Sequence, residues 1–233
     1  MLKFFKPSML LIFLSGTILI LSGCFGNNYY NLTLTKLAEV RYNLYYGAND
    51  NIEVTLMSGE REKDYIINGY CTPPVEFGVL TFKILDESLE LAETPMYVLI
   101  VGTTRYNGEL EKNPFDGTYV ADLKKIIKGD INIYAKILIG TFVEEVGLAS
   151  ATKNWKIDHN EALKIACKEL KGQLTDFVEN GEFLGEAYVK IINDKEFNKN
   201  AYYWYVNFVS REGKNIAVII DPISKSILAK KPA

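Results

Sequence analysis

Histidine is the scarcest reactive side chain in this chain of 233 residues, represented by His159 alone. A Ser-His-Asp or Cys-His mechanism would have to pass through that one position. One histidine is also too few for the usual zinc sites. Cysteine is nearly as rare: Cys24, Cys71 and Cys167 fall far short of the density of a disulfide scaffold. A Cys71–Cys167 bridge and two buried small thiols both fit the sequence, the second being the commoner arrangement. No block of basic residues occurs, and 26 Lys and Arg stand against 29 Asp and Glu, so nucleic acid is not an expected partner. Missing too are G-x-S-x-G, a Gly-rich phosphate loop, H-E-x-x-H and C-x-x-C. Asn49-Asp50-Asn51 lacks the spacing of an EF-hand loop. Ser150 and Ser224 have no evident base, and Asp64, Asp86-Glu87 and Glu144-Glu145 read as solvated surface rather than as a glycosidase pair. No catalytic residue, metal or cofactor is expected.

What is present begins at the N-terminus. Lys3 and Lys6 precede an apolar stretch over residues 9–21, broken only at Ser15, Gly16 and Thr17. A membrane-spanning helix needs roughly 20 apolar residues and a charged stop, whereas this run is shorter and ends in small residues, the layout of a signal peptide. The residues that follow, Leu21-Ser22-Gly23-Cys24, match every position of the [LVI]-[AS]-[GA]-C lipobox, and the chain in this respect resembles bacterial lipoproteins. That resemblance implies cleavage before Cys24, a diacylglyceryl thioether on its sulfur and an anchored protein on the extracytoplasmic face of the cell membrane. Two acyl chains hold stably where one is marginal. The expected organisation is a signal peptide at 1–23, a lipidated tether at 24–35, and folded domains at 36–148 and 149–233.

The ~210 residues beyond Gly23 suffice for real cores. Between Leu37 and Gly140 the apolar period is two: Val40, Tyr42 and Leu44; Ile52, Val54 and Leu56; Leu80, Phe82 and Ile84. Each set reads as a half-buried strand. Further strands are expected at 65–70, 96–101, 118–123 and 131–138, with turns at 47–50, Ser58-Gly59, Pro73-Pro74, Asn107-Gly108, 113–117 and Gly129-Asp130. Residues 122–128 read either as strand end or as a helical turn, as do 86–91. Strands so spaced over ~100 residues suggest an antiparallel β-sandwich of immunoglobulin-like architecture.

The period changes after Trp155. Asp158 can cap a helix with Glu161 three residues on, and Leu163, Ala166, Cys167 and Leu170 follow at helical spacing before Gly172. Strands are expected at 187–192, 201–209, 216–220 and 227–228, closed by the Asp221-Pro222-Ile223-Ser224 turn. Helix followed by meander, with YWYVNFV and VIIDPISKSIL, resembles a PepSY-like domain, although Lys225 stands where that family prefers glycine. The resemblance implies a helix packed on an antiparallel sheet, no catalytic residues, and a binding or regulatory role toward a peptidase or other envelope protein. The expected fold class is therefore α+β. In the strand at 201–209 the even residues should face the helix, leaving Tyr203, Tyr205 and Asn207 outward as a partner-binding surface. The alternatives are an extracytoplasmic hydrolase or cell-wall enzyme with a carboxylate site, and a transport-accessory lipoprotein.

Overall fold

The computed structural model describes residues 26–63, 66–85, 94–128, 132–193 and 201–231. The lipobox, including Cys24, lies outside the described residues, as do Asp64, Asp86-Glu87 and the segment 86–91.

A long strand organises the chain. Strand β1 (Leu37–Ala48) is alternately apolar on both faces and pairs along its length with β2 (Ile52–Glu62). Its other edge is shared. The N-terminal residues Leu37–Val40 run parallel to β12 (Gly185–Ile192), while Tyr45 and Tyr46 pair antiparallel with β9 (Phe142–Ser150). From β9 the sheet continues through β8 (Ile133–Ile139), β4 (Met96–Val101) and β5 (Thr104–Glu109). From β2 it continues through β3 (Pro74–Ile84), β7 (Tyr119–Asp122) and the short β6 (Glu111–Lys112). This path is antiparallel throughout and curls into a nearly closed barrel.

From β12 the sheet runs on as an antiparallel meander through β13 (Tyr203–Ser210), β14 (Asn215–Ile220) and β15 (Ile227–Lys231). One 13-stranded sheet thus carries both halves; β10 (Val178–Glu179) and β11 (Glu182–Phe183) form a separate ribbon.

Two hydrophobic cores sit on opposite faces of β1. Tyr45 points into the barrel with Val54, Leu56, Leu80, Phe82, Leu99 and Ile137. Val40 and Leu44 point into the other core, with Ala166, Leu163, Val189, Val206, Phe208 and Val218. The helices of that core are α1 (Gly26–Leu34), α2 (His159–Glu169) and the short α3 (Lys171–Leu174), followed by a 3-10 turn at Thr175–Phe177. The α2 helix starts where Asp158 accepts a 2.8 Å bond from the Glu161 amide, satisfying an orphan donor of its first turn.

Several expectations are corrected. The α+β class, an immunoglobulin-like sandwich followed by a PepSY-like unit of one helix on an antiparallel sheet, gives way to a mostly-β structure, with 54% strand and 13% helix among the described residues and a barrel-like sheet. A sandwich requires two facing sheets, whereas here β1 hydrogen-bonds to β9 and β2 on its two edges and closes the curve. Residues 66–70 are not a strand, because their backbone amides bond to side chains instead of to a neighbouring strand. Asn107-Gly108 lies inside β5; the reversal occurs at Gly102, whose φ of 60° is natural for glycine. Residues 122–128 form no helical turn; Leu123 and Ile127 drop into the barrel core, and Ser58 Oγ bonds both the N–H and the C=O of Ile127.

Opposite β1, Gly59 marks an irregularity. The β1–β2 register shifts between Arg41 and Asn43, which face Gly59 and Ser58, so Tyr42 is the extra residue of a β-bulge. A Cβ on Gly59 would stand 1.9 Å from the Val40 carbonyl oxygen. Gly59→Ala is expected to destabilise the protein by about 1–3 kcal/mol, as overpacking does, measured by urea denaturation; a change within experimental error would show that the two strands separate freely there.

Candidate functional site

The bulge turns Tyr42 out of the ladder and into the space between the strands and the helices. It stands between two cavities. One is an open cleft of about 870 Å³ and the other a smaller cavity of about 450 Å³, and Tyr42 lines both. Its hydroxyl donates to Glu60 Oε2 at 2.7 Å. Its ring meets the His159 imidazole edge-on at 4.7 Å, and the Lys128 ammonium lies 5.4 Å from the ring centroid. Burial, with the Glu60 carboxylate beside it, raises the Tyr42 hydroxyl above its ordinary value, so it is a hydrogen-bond donor at neutral pH.

Besides Tyr42 and Trp204, four segments wall the larger cleft. The segment 152–158 supplies Thr152, Trp155 and Lys156, and it is laced down by two bonds: Lys156 N–H to Pro222 O at 3.0 Å, and Trp204 Nε1–H to Ile157 O at 3.1 Å. Trp155 packs edge-to-face on Trp204 at 4.8 Å. The first turns of α2 supply His159, Asn160, Glu161 and Lys164. From α1 comes Tyr30, whose hydroxyl donates to Asn160 Oδ1 at 3.4 Å and whose ring carries the Lys164 ammonium at 5.2 Å. The fourth wall is Lys225, in the turn before β15.

Burial lowers the His159 imidazole below its usual value, Lys128 acting in the same direction against the pull of Asp158 and Glu60. At neutral pH it is uncharged. Its ring contact among the described residues is Tyr42, in a T-shaped arrangement. Cys167, in the α2 core beside Thr33 Oγ1, is pushed up to about 11 by burial, as is Cys71, and the two are free thiols. Thiols so shifted are poor nucleophiles near neutral pH. Among the described residues no cluster of three metal-ligating side chains occurs.

The residues expected to contact a partner lie elsewhere. Trp204, Val206 and Phe208 point into the helical core, so Tyr203, Tyr205 and Asn207 point from the opposite face of β13. There Tyr203 and Asn207 are each only 7% exposed and Tyr205 is half-buried. Of the carboxylates considered in the sequence, Glu144 is engaged by the amides of Asn49 and Asn51 at 2.8 and 2.6 Å, and Glu145 by Lys136 at 2.8 Å. Both serve local structure.

Sequence reasoning passed over three buried carboxylates, Glu39, Glu62 and Glu186. It also missed the convergence of Tyr30, Tyr42, Trp155 and Lys225. Comparison with family models, curated proteins and solved structures finds no match for this chain.

Lys225 is the most telling member of the cleft. Its φ of 65° is left-handed, a conformation costing a non-glycine residue ~1–2 kcal/mol. The Asp221 carboxylate holds the turn by accepting from the Ile223 and Ser224 amides at 2.7 and 2.9 Å. Lys124 and Asn180, outside the cleft, share this left-handed backbone. Lys225→Gly is expected to stabilise the fold by roughly 0.5–1 kcal/mol, since relieving ~1–2 kcal/mol of strain outweighs glycine's ~0.5–1 kcal/mol of added chain entropy. Thermal unfolding checks this, and a lower Tm in the variant would contradict it.

Proposed function

We propose that this chain is a lipid-anchored, extracytoplasmic binding protein that acts without catalysis and takes a segment of an envelope protein into the cleft beside Tyr42. The observation that carries this reading is the composition of the cleft. Tyr30, Tyr42 and Trp155 offer aromatic surface that remains partly accessible, and aromatic side chains give large contact area at low entropic cost. Lys156 and Lys225 are exposed at its rim. The acids there are engaged: Asp158 caps α2, and Glu161 lies 3.9 Å from Lys164. Counting Asp158 and Glu161 against Lys156, Lys164 and Lys225 leaves the cleft one net positive charge, with Lys156 and Lys225 unengaged by either acid in the bonds given above, so the fitting partner segment carries acidic residues next to an apolar or aromatic one.

The lipobox at Leu21-Ser22-Gly23-Cys24 supports the location, and the anchor would hold the cleft within reach of other envelope proteins. His159, neutral and packed on an aromatic face, serves in this reading as a wall and hydrogen-bonding group.

Pull-down from detergent-solubilised envelope tests both parts. The Lys156→Glu/Lys225→Glu variant should lose a partner that the wild type recovers and that high salt releases, whereas Tyr203→Ala/Tyr205→Ala should retain it. Equal recovery by the wild type and the charge-reversed cleft would sink the cleft. For the anchor, Cys24→Ala should block lipid labelling and leave the precursor uncleaved or the protein in the aqueous fraction, and unchanged maturation would refute it.

A further inference from the structure

Between β2 and β3 the chain crosses the back of the meander, and its apolar side chains face the wrong way for a soluble loop. Ile66, Ile67 and Tyr70 are 58%, 56% and 58% exposed, and Val75 follows at the start of β3. The backbone that follows the isoleucines is pinned. Glu186, fully buried on β12, accepts from the amides of Asn68 at 3.3 Å and Tyr70 at 2.9 Å, and the Tyr188 hydroxyl bonds its other oxygen. Glu62, also buried, accepts from the Thr72 amide and hydroxyl at 2.9 and 3.1 Å. Gly69, at φ 80°, passes so near Arg211 that a Cβ would lie 2.6 Å from its backbone. Bonds from residues 68, 70 and 72 to two buried carboxylates thus fix the loop against the sheet beside the exposed isoleucines.

Cations surround the patch. The Arg211 guanidinium lies 4.6 Å from the Tyr70 ring centroid, Arg61 is near the end of β2 and Lys63 just beyond it, and Lys36 is close enough to act on the Cys71 thiol. Of the nearby acids among the described residues, Glu62 and Glu186 are buried and bonded, and Glu76 and Glu212 are exposed. Exposed aliphatics, an interfacial tyrosine and a ring of Lys and Arg are the chemistry of a surface that lies in an anionic bilayer interface.

Chain length agrees. Leu34 and Thr35 line the same small cavity as Cys71 and Pro73. Since α1 rises ~1.5 Å per residue and the chain spans at most ~3.6 Å per residue before it, Cys24 lies within about 20 Å of Leu34.

We propose that the loop 66–75 is a membrane-contact surface, with Ile66 and Ile67 entering the headgroup–acyl boundary of an anionic lipid leaflet and Arg211, Arg61, Lys63 and Lys36 facing its phosphates. This deepens the reading of an anchored protein and rests on it, because the anchor supplies the proximity that lets a small patch act. The contact fixes the molecule's orientation on the membrane.

The test uses the mature protein on vesicles of phosphatidylcholine and phosphatidylglycerol whose acyl chains carry bromine, a short-range quencher. Emission of the wild type, from Trp155 and Trp204, is the baseline. Ile67→Trp should add emission that brominated vesicles reduce by roughly half or more relative to unbrominated ones. Thr141→Trp, in the β8–β9 hairpin beyond the opposite end of β1, should add emission that bromine leaves unchanged. Intact mass reports separately whether Cys24 carries lipid. Lipidated, vesicle-bound protein with unquenched Ile67→Trp emission would overturn the contact surface and leave the anchor standing. Quenching in protein without lipid would keep the surface and remove the anchor. Failure to bind vesicles at all would remove both.

Discussion

The pairing of β1 with three other strands is the constraint on which the rest of the structure depends. A strand has two hydrogen-bonding edges, and β1 gives one to β2 while dividing the other between β12 and β9. That division is possible because the strand is long, 12 residues, twice the usual length. Its two faces then serve different cores, Leu44 on one side and Tyr45 on the other. Removing β1 would open the barrel and strip the meander of its only strand-to-strand link to it among the described residues.

The same strand carries the irregularity that makes the cleft. Tyr42 packs, half-buried, against the same core as Val40 and Leu44. The bulge falls at this residue, opposite the bare backbone of Gly59, and there the ring meets His159 and the hydroxyl bonds Glu60. On the other face, Glu39 is buried between Arg41 and Lys190, each at 2.7 Å. Burial alone would raise its carboxyl, but the two cations outweigh it and hold the group below its ordinary value. An ion pair of this kind adds little net stability against a hydrophobic alternative, yet losing one partner is costly. It pins the parallel β1–β12 contact in a single register, because Glu39 sits opposite Tyr188 and beside Lys190 only in that alignment.

Much of the strand content was legible. Alternation in β1, β2, β3, β8, β12, β13 and β14 stands out because one face of each is packed against a core. β5 and β9 escaped notice for the converse reason: Thr104–Glu109 is mostly exposed, and the first residues of β9 put Glu144 and Glu145 among the apolar ones. The strand expected at 65–70 misled, since Ile66, Ile67 and Tyr70 are displayed to the outside and the amides of Asn68 and Tyr70 are held by Glu186, distant in sequence. The fold class itself could not be read, because it turns on contacts such as Leu37 with Ala187 and Tyr45 with Ser150, which no local pattern encodes. The cleft was legible only in fragments. Asp158 was recognisable as a cap and Lys225 as a non-glycine in a turn that wants glycine, but nothing local brings Tyr30, Tyr42, Trp155 and Lys225 together.

If β1 is the shared wall of both cores, barrel and meander must unfold as one cooperative unit. Native-state hydrogen exchange measures this directly, residue by residue. The amides of Leu56, Leu80 and Ala135 in the barrel and of Val189, Val206 and Val218 in the meander should then exchange through a common opening, with free energies agreeing to within about 1 kcal/mol. Meander amides exchanging through a separate opening, cheaper by roughly 2 kcal/mol or more while the barrel stays protected, would contradict the account.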